Sequence, residues 1–391
     1  MTNSSAVPYW RLSGFYFFYF ALVGTLMPFL GLYLQSIDFT PQQIGVIGAV
    51  LMATKIVAPN IWGWLSDRTA RRLSVIRWGC FLALLGFLLL FWRSSFVWVL
   101  LAVFFYSFFW NAVLAQFEVV TLEHLLHRPQ DYSRVRLWGS VGFIVAVLGL
   151  GGLFDLVSIT YLPWFAALLL LLIWLSSLSV TERVARVTQG GDGRFLVLLL
   201  RRPVLYFLLS SFLLQLSHGT YYTFYSVYLE SLGYRHSVIG GLWALGVLAE
   251  VGVFLIMHRW FQRVGLRSIL LLTLGMTVLR WWLIACFPDS LLLLVFAQLL
   301  HAFSFGSAHS VAIECMRRFF PGNSQGQGQA LYSSMSFGAG GALGAYVSGL
   351  VWLTDYGVSM FECAGLSALL GMLIVVFFVS DKESKSAGLQ K

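Results

Sequence analysis

The stretch "YLQSIDFTPQQIG" (residues 33–45) returns as "YLESLGYRHSVIG" (residues 228–240), and this repeat decides the fold. The same spacing, continued along the chain, pairs Arg68 with Arg263 and Lys55 with Glu250. Chance similarity between two apolar segments is the alternative, but the matched positions include polar loop residues. The chain is therefore predicted to consist of two equivalent halves in the same orientation.

The composition around the repeat is that of a membrane protein. Of 391 residues, 59% are hydrophobic and only 10% are charged, whereas ordinary soluble domains carry about 25% charged residues. Apolar runs of about 18 residues or more recur from end to end, and each can cross ~30 Å of hydrocarbon. A membrane β-barrel would instead show short alternating segments. We expect an all-α membrane protein.

Twelve membrane-spanning segments are predicted. They cover residues 9–34, 41–66, 74–93, 95–122, 134–154, 160–180, 203–230, 236–258, 268–287, 290–316, 327–353 and 357–379.

The basic residues indicate how these segments are oriented. Of the 25 Lys and Arg residues, Arg93 and Arg235 fall on one side and Lys55 and Arg280 fall within spans. All the others fall on the side that holds both termini. The positive-inside rule then places both termini in the cytoplasm. The net charge of +9 is thus expected to face lipid headgroups, and nucleic acid is not expected as a partner.

A polar, glycine-containing stretch, "TERVARVTQGGDGRF" (181–195), divides six spans from six. Such a composition is typical of a flexible linker. The predicted organisation is a six-helix bundle at 1–181, a cytoplasmic linker at 182–202, a second six-helix bundle at 203–380 and a cytoplasmic tail at 381–391. Parallel repeats of this kind place a solute site near the midplane, between the halves.

The loop after the second span reads "GWLSDRTARR" (63–72). It resembles the loop 2–3 signature of the major facilitator superfamily, with Ala70 where that family usually has glycine. The resemblance implies the superfamily fold, twelve helices in two pseudo-symmetric bundles. It also implies a cytoplasmic gating loop that contains Asp67, Arg68, Arg71 and Arg72.

Longer segments, "DYSRVRLWGSVGF" (131–143) and the apolar text of 213–251, resemble the bacterial 3-phenylpropionate permease group. That group lies near lactose permease, in the oligosaccharide/proton symporter branch. The resemblance implies a permease of the bacterial inner membrane whose partners are a small solute, protons and the lipid bilayer. We expect a monomer.

Charged residues inside spans are functional candidates, because hydrocarbon offers them no partner. Glu118 and Arg136 can meet across one loop, and the resemblance to lactose permease places this pair at the solute site. An arginine fork suits a carboxylate or sugar hydroxyls. The alternative is a purely structural pair. Phe143 stands where lactose permease has an aromatic that stacks on sugar, but an apolar helix contact is equally plausible.

Glu250, Arg280 and His301 form a second group, which the same resemblance places in the proton-coupling region. Ser304 replaces a carboxylate of lactose permease there. A carboxylate holds its proton more tightly in dry surroundings and less tightly beside an arginine. Glu250 is therefore predicted to carry the proton, with Arg280 or Arg136 as the counter-charge. A fixed pair that never titrates is the alternative.

Other polar groups complete the predicted solute site. Lys55 has no carboxylate in its own span and can attract an anionic solute, or else it has an interhelical partner. Polar residues spaced three or four apart in the seventh span are expected to face a cavity or to bond to neighbouring helices. They are Gln215, His218, Tyr221 and Tyr222.

The sequence predicts a secondary active transporter, not an enzyme. The four cysteines form no CxxC pair and no ATP-binding motif occurs, so no metal or other cofactor is expected. The preferred function is proton-coupled symport of an aromatic or other small carboxylate, such as 3-phenylpropionate, by alternating access. The alternatives are proton-coupled efflux of drugs or metabolites, sugar or nucleoside symport, and an intramembrane enzyme.

Overall fold

A computed structural model describes residues 7–69, 71–126, 128–181, 195–355 and 358–379. Within these ranges every regular element is a helix and none is a strand. Ten of the described helices are long and apolar enough to cross a bilayer.

The first half contains six long helices, which match the first six predicted spans. They are α1 (Tyr9–Ser36), α2 (Pro41–Thr69), α3 (Arg72–Leu88), α4 (Phe96–His124), α5 (Tyr132–Phe154) and α6 (Leu162–Leu178). Short 3₁₀ turns at Leu89–Phe91, Pro129–Asp131 and Ile159–Tyr161 connect some of them.

The second half follows the linker region, of which residues 182–194 lie outside the described residues, as does the predicted tail at 381–391. Its helices are a short α7 (Phe195–Leu199), then α8 (Arg202–Ser231), α9 (His236–Arg263), α10 (Leu266–Cys286), α11 (Leu291–Leu299), α12 (Ala308–Phe319), α13 (Gln325–Ser333), α14 (Gly341–Asp355) and α15 (Val358–Phe378).

Two of the predicted spans are interrupted by π-helical turns. The π segment Ala302–Ser307 joins α11 to α12, and the π segment Ser334–Gly340 joins α13 to α14. A π turn widens the helix locally and is often found at functional sites. Both segments pack beside the candidate site described below.

The two halves repeat the same internal packing. In the first half Gly142 of α5 lies against the carbonyl oxygen of Phe17 in α1, and in the second half Gly344 of α14 lies against the carbonyl oxygen of Leu216 in α8. A Cβ at either glycine would collide with that backbone. Small residues allow such close approach of membrane helices. The predicted pseudo-symmetric fold is confirmed.

The halves meet along what we call the seam, the contacts of α2 with α14 and of α5 with α9. Gly240 lies against the carbonyl of Val147, and a Cβ on Gly45 would lie 2.9 Å from the carbonyl oxygen of Ala345. Both glycines are near the start of their helices, so the seam is on the membrane side opposite the termini.

Two ion-pair groups on the terminal side each join residues of one half. Nη2 of Arg72 lies 2.6 Å from Oδ1 of Asp67 in the first half. Glu314 of the second half binds Arg317 at 2.8 Å and Arg318 at 2.7 Å. Further close approaches between the halves lie next to the seam, at Gly31 against Thr223 and at Gly338 against Ile56. The seam closes the structure on the side away from the termini.

Candidate functional site

The predicted pair of Glu118 and Arg136 is present in the first half. Nε of Arg136 lies 3.8 Å from Oε1 of Glu118, and the side chains are 31% and 36% exposed. The Arg136 guanidinium lies 4.0 Å from the centre of the Phe20 ring on α1. This contact holds the guanidinium plane against an aromatic face. At 3.8 Å the ion pair with Glu118 is too long to be a hydrogen bond. The Arg136 guanidinium can therefore donate to a further acceptor.

Glu250 is on α9, the second-half helix that packs against α5, the helix of Arg136. Oε2 of Glu250 lies 3.9 Å from Nε2 of His301, and the side chain is 16% exposed. Among the described residues Glu250 makes no hydrogen bond to a charged partner.

Arg280 has a different environment, enclosed within the second half. It is fully buried. Nη1 donates to Oγ of Ser304 at 2.9 Å and Nη2 donates to Oε1 of Gln298 at 3.2 Å. The guanidinium also lies 4.2 Å from the centre of the Tyr221 ring and 4.4 Å from that of Trp281. No carboxylate of a described residue lies within 4 Å of it, so the structure does not join Arg280 to Glu250.

The four polar residues predicted to line one face of α8 do not all lie in the same surroundings, and two of them belong to this enclosed cluster. The Tyr221 hydroxyl donates to Oε1 of Gln298 at 3.0 Å. His218 contacts the carbonyl of Leu214 through Nδ1 at 2.9 Å and Ser304 through Nε2 at 3.4 Å. Both side chains are buried. They hold α8 to α11 and the π segment Ala302–Ser307.

The other two of these polar residues, Gln215 and Tyr222, differ in exposure. Gln215 is 2% exposed and packs beside Gly340 of the second π segment. Tyr222 is partly exposed, and its ring centre lies 5.9 Å from that of His218.

Lys55 is a partly exposed cation in the middle of α2. The contact of its Nζ is with Sδ of Met52, at 3.7 Å. No carboxylate of the described chain lies within 4 Å of it. Thr54 beside it binds Asn111 of α4 at 2.8 Å, and Ile56 packs against Gly338. Lys55 thus lies between the face of α2 that contacts α4 and the face that contacts the second half.

The remaining candidate residues, Phe143 and those of the predicted gating loop, all belong to the first half. Phe143 is 6% exposed within the apolar core of the first half. In the predicted gating loop, Arg72 binds Asp67 and also donates to Oε1 of Gln116 at 3.0 Å. Arg68 lies over Trp64, 5.4 Å from the ring centre, and Arg71 is exposed.

Sequence reasoning missed a polar cluster in the seam, centred on His236. Nε2 of His236 lies 2.9 Å from Oε1 of Glu230, and Nδ1 lies 3.7 Å from Oδ1 of Asp155, at the end of α5. The backbone N–H of Ser237 donates to the same Asp155 oxygen at 3.3 Å. Burial favours a raised pKa for Asp155, but hydrogen bonds from Ser237 and the charge of His236 hold its pKa below the ordinary value. His236 lies within the repeated segment 228–240, and this was the sequence feature that could have pointed to the cluster.

Metal binding finds no support among the described residues, since they contain no group of three His, Cys, Asp or Glu that could hold an ion.

Comparison with known proteins gives consistent matches over nearly the whole chain. The profile of the MFS_1 like family matches residues 9–363. The chain is 31% identical to the "Probable 3-phenylpropionic acid transporter" of Escherichia coli (strain K12), over 92% of this chain and 95% of that protein. It is 26% identical to the maltose permease of Geobacillus stearothermophilus, over 96% of this chain and 95% of that protein.

Among solved structures, a point mutant of the nucleoside transporter NupG matches with a TM-score of 0.84. The match covers 95% of this chain and 100% of that one, at 17% sequence identity. At that identity the likeness concerns the fold alone.

Proposed function

Because the chain belongs to the MFS_1 like family of the major facilitator superfamily, and is thus a secondary transporter rather than an enzyme, we propose that it carries a small aromatic carboxylate together with protons by alternating access. The two halves, 1–181 and 203–380, act as the moving units and 182–202 as the linker. The protein works as a monomer in the bacterial inner membrane, with both termini in the cytoplasm.

The position of Glu250 is the observation that carries the proton-coupling part. This carboxylate lies 3.9 Å from His301, on the helix that packs against α5, which carries Arg136 in the other half. A rocking motion of the halves changes the distance between Glu250 and Arg136. The proton affinity of a carboxylate depends on a nearby cation and on water, so such a motion alters when Glu250 binds and releases its proton.

The choice of an anionic solute is supported by two cations, Lys55 and Arg136. Neither forms a hydrogen-bonded ion pair with a carboxylate of the described chain. An arginine fork binds carboxylates with defined geometry, and a partly exposed lysine attracts anions. The name of the relative that is 31% identical, a phenylpropionic acid transporter, agrees with this class.

The test is uptake into proteoliposomes that contain the purified protein, with and without an imposed pH gradient. The panel contains 3-phenylpropionate, cinnamate, a disaccharide and a nucleoside. We expect gradient-dependent accumulation of the two acids. Accumulation that ignores the gradient would contradict proton coupling. Uptake of the disaccharide or nucleoside alone would contradict the substrate class, and extrusion driven by the gradient would favour the efflux alternative.

The variant Glu250→Gln separates binding from coupling. It keeps the shape of the side chain but cannot ionise, so we expect solute exchange at equal concentrations to persist and uphill accumulation to disappear. Glu362→Gln, an exposed position on α15, serves as the control. Normal accumulation by Glu250→Gln would show that another group carries the proton.

A further inference from the structure

Three aromatic rings on the helix formed by α11, the π segment Ala302–Ser307 and α12 make a stacked ladder, which we call the imidazole ladder: His301, Phe305 and His309. The His301 and Phe305 rings are 5.5 Å apart at 12°, and the Phe305 and His309 rings are 6.1 Å apart at 5°. Phe337 of the second π segment lies 6.1 Å from Phe305 and 6.2 Å from His309, at about 60° to both. The ladder thus has a flat face and an aromatic side wall.

The nitrogen atoms of the imidazole ladder lack partners. Nδ1 of His301 and Nδ1 of His309 are enclosed and make no hydrogen bond. Nε2 of His309 makes no hydrogen bond to a described residue either, and it is not among the enclosed atoms. Buried polar atoms in proteins are nearly always hydrogen-bonded. Nε2 of His309 is neither enclosed nor hydrogen-bonded to a described residue, so it is the ring nitrogen available to a ligand.

The surroundings of the ladder contain the charges of the proposed transport site. Gly306 packs against Glu250, since a Cβ there would lie 3.2 Å from Cγ of Glu250. Glu250 is on α9, which packs against α5, the helix of Arg136. His309 thus lies one helical turn after the glycine that packs against the proposed proton carrier, and Phe305 and Phe337 supply apolar area next to it.

We propose that His309 is a solute-binding residue: its imidazole N–H donates to the solute carboxylate opposite Arg136, and the aromatic ring of the solute lies against Phe305 and Phe337. This rests on the proposed transport of aromatic acids and deepens it. A neutral imidazole supplies one donor and no charge, so Arg136 neutralises the anion and His309 fixes its orientation. The ladder makes a ring-bearing acid a better solute than an aliphatic one.

Uptake kinetics of 3-phenylpropionate and of 3-cyclohexylpropionate test the assignment. His309→Phe keeps a flat ring and removes both nitrogens, so KM for both acids is expected to rise on the order of tenfold, as for loss of a hydrogen bond to a charged group, with kcat little changed. His309→Gln restores a donor near the position of Nε2 and should recover most of the affinity. His258→Phe, which removes a histidine bound to Gln262 at 3.0 Å, is the control.

Phe305→Leu tests the ring contact separately. It should raise KM for 3-phenylpropionate more than for 3-cyclohexylpropionate, because only the planar ring loses a stacking partner.

Three outcomes would overturn the assignment. The first is a KM of His309→Phe within about twofold of that of the unchanged protein, because a rise of about tenfold is expected. Equal loss of kcat in His309→Phe and His309→Gln without a change in KM would show a structural role only. Failure of the unchanged protein to take up either acid would overturn the proposed substrate class, and this inference with it. Size-exclusion chromatography in detergent confirms folding, and His309→Leu, which also removes both ring nitrogens, carries the test if His309→Phe does not fold.

Discussion

Gly45 and Gly240, which the sequence repeat aligns, hold equivalent places in the seam. Gly45 of α2 lies against the backbone of α14, and Gly240 of α9 lies against the backbone of α5. One helix from each half thus approaches the other half at a glycine. The repeat therefore preserves the surface on which the halves close as well as the helices themselves.

Substitution of Gly240 by leucine is expected to open the seam. Its Cβ would collide with the carbonyl of Val147, and overpacking costs about 1–3 kcal/mol, which shifts a two-state equilibrium by roughly 5- to 150-fold. In a background without the native cysteines, Thr223→Cys reports opening by reaction with an impermeant maleimide. Thr223 of α8 packs against Gly31 of α1 and Gly48 of α2, next to the seam, so separation of the halves exposes it.

The neighbouring Gly241 provides a matched control, since a Cβ there meets nothing within 4 Å. Equal labelling in Gly240→Leu and Gly241→Leu would show that the glycine contact does not hold the seam closed.

Acid is expected to strengthen the seam through His236. A protonated imidazole carries a positive charge between Glu230 and Asp155, and the Asp155 contact joins the two halves. The pKa of Asp155 is held below its ordinary value, so Asp155 stays ionised while a histidine titrates between about pH 5 and 8. Stability of the closed seam should therefore be greater at acid pH and should fall as pH rises through the histidine range.

The measurement is maleimide labelling of Thr223→Cys across that range, with and without Asp155→Asn. The ratio between the two proteins at each pH cancels the pH dependence of the thiol itself. For a partly exposed pair we expect a change of roughly two- to fivefold in this ratio. A constant ratio would exclude His236 from seam closure.

Loss of the Ser304 hydroxyl is expected to destabilise the second half. It accepts a hydrogen bond from the buried Arg280 at 2.9 Å, and hydrogen bonds to charged groups contribute about 1.5–3 kcal/mol. Ser310→Ala is the comparison, because Ser310 donates only to the Gly306 carbonyl of its own helix, at 3.0 Å. Thermal unfolding in detergent should give a clearly lower Tm for Ser304→Ala, and equal values would argue against a structural role for this bond.

Asp67 and Arg72, the ion pair of the predicted gating loop, should differ in how much they contribute to thermal stability. Asp67 has a 58% exposed side chain, and exposed ion pairs contribute at most about 1 kcal/mol. Arg72 is 14% exposed and also binds Gln116 of α4. We expect Arg72→Met to lower Tm, whereas Asp67→Asn should leave Tm nearly unchanged. A larger effect of Asp67→Asn would mean that the ion pair, rather than the contact to α4, holds the loop.

The sequence allowed the helices and the two halves to be predicted, because apolar length and a repeated loop are local signals. It did not allow the partners of buried charges to be predicted. Lys55 and Glu250 are equivalent in the repeat, yet Lys55 has no carboxylate within 4 Å among the described residues and Glu250 lies beside His301. Such partners depend on how each helix is rotated.

The π segments escaped prediction for a related reason. The sequences of the two π segments, "AFSFGS" and "SMSFGAG", do not differ from those of ordinary membrane helices rich in small residues. The first π segment includes Ser307, whose hydroxyl lies 2.6 Å from that of Thr273 on α10. A contact of this kind, between residues 34 positions apart, is not visible in the local sequence.

The shortage of carboxylates around Lys55 and Arg280 bears on the electrical behaviour of the transport cycle. An unloaded protein with excess positive charge at mid-membrane responds to voltage when it changes sides, since one elementary charge moved across 100 mV changes the free energy by about 2.3 kcal/mol. In the proposed cycle an organic anion and a proton bound together add no net charge to the carrier. Import of one monovalent anion with one proton then moves no net charge, so the pH difference should govern how far the acid accumulates, whereas the membrane potential should change only the rates at which the carrier changes sides.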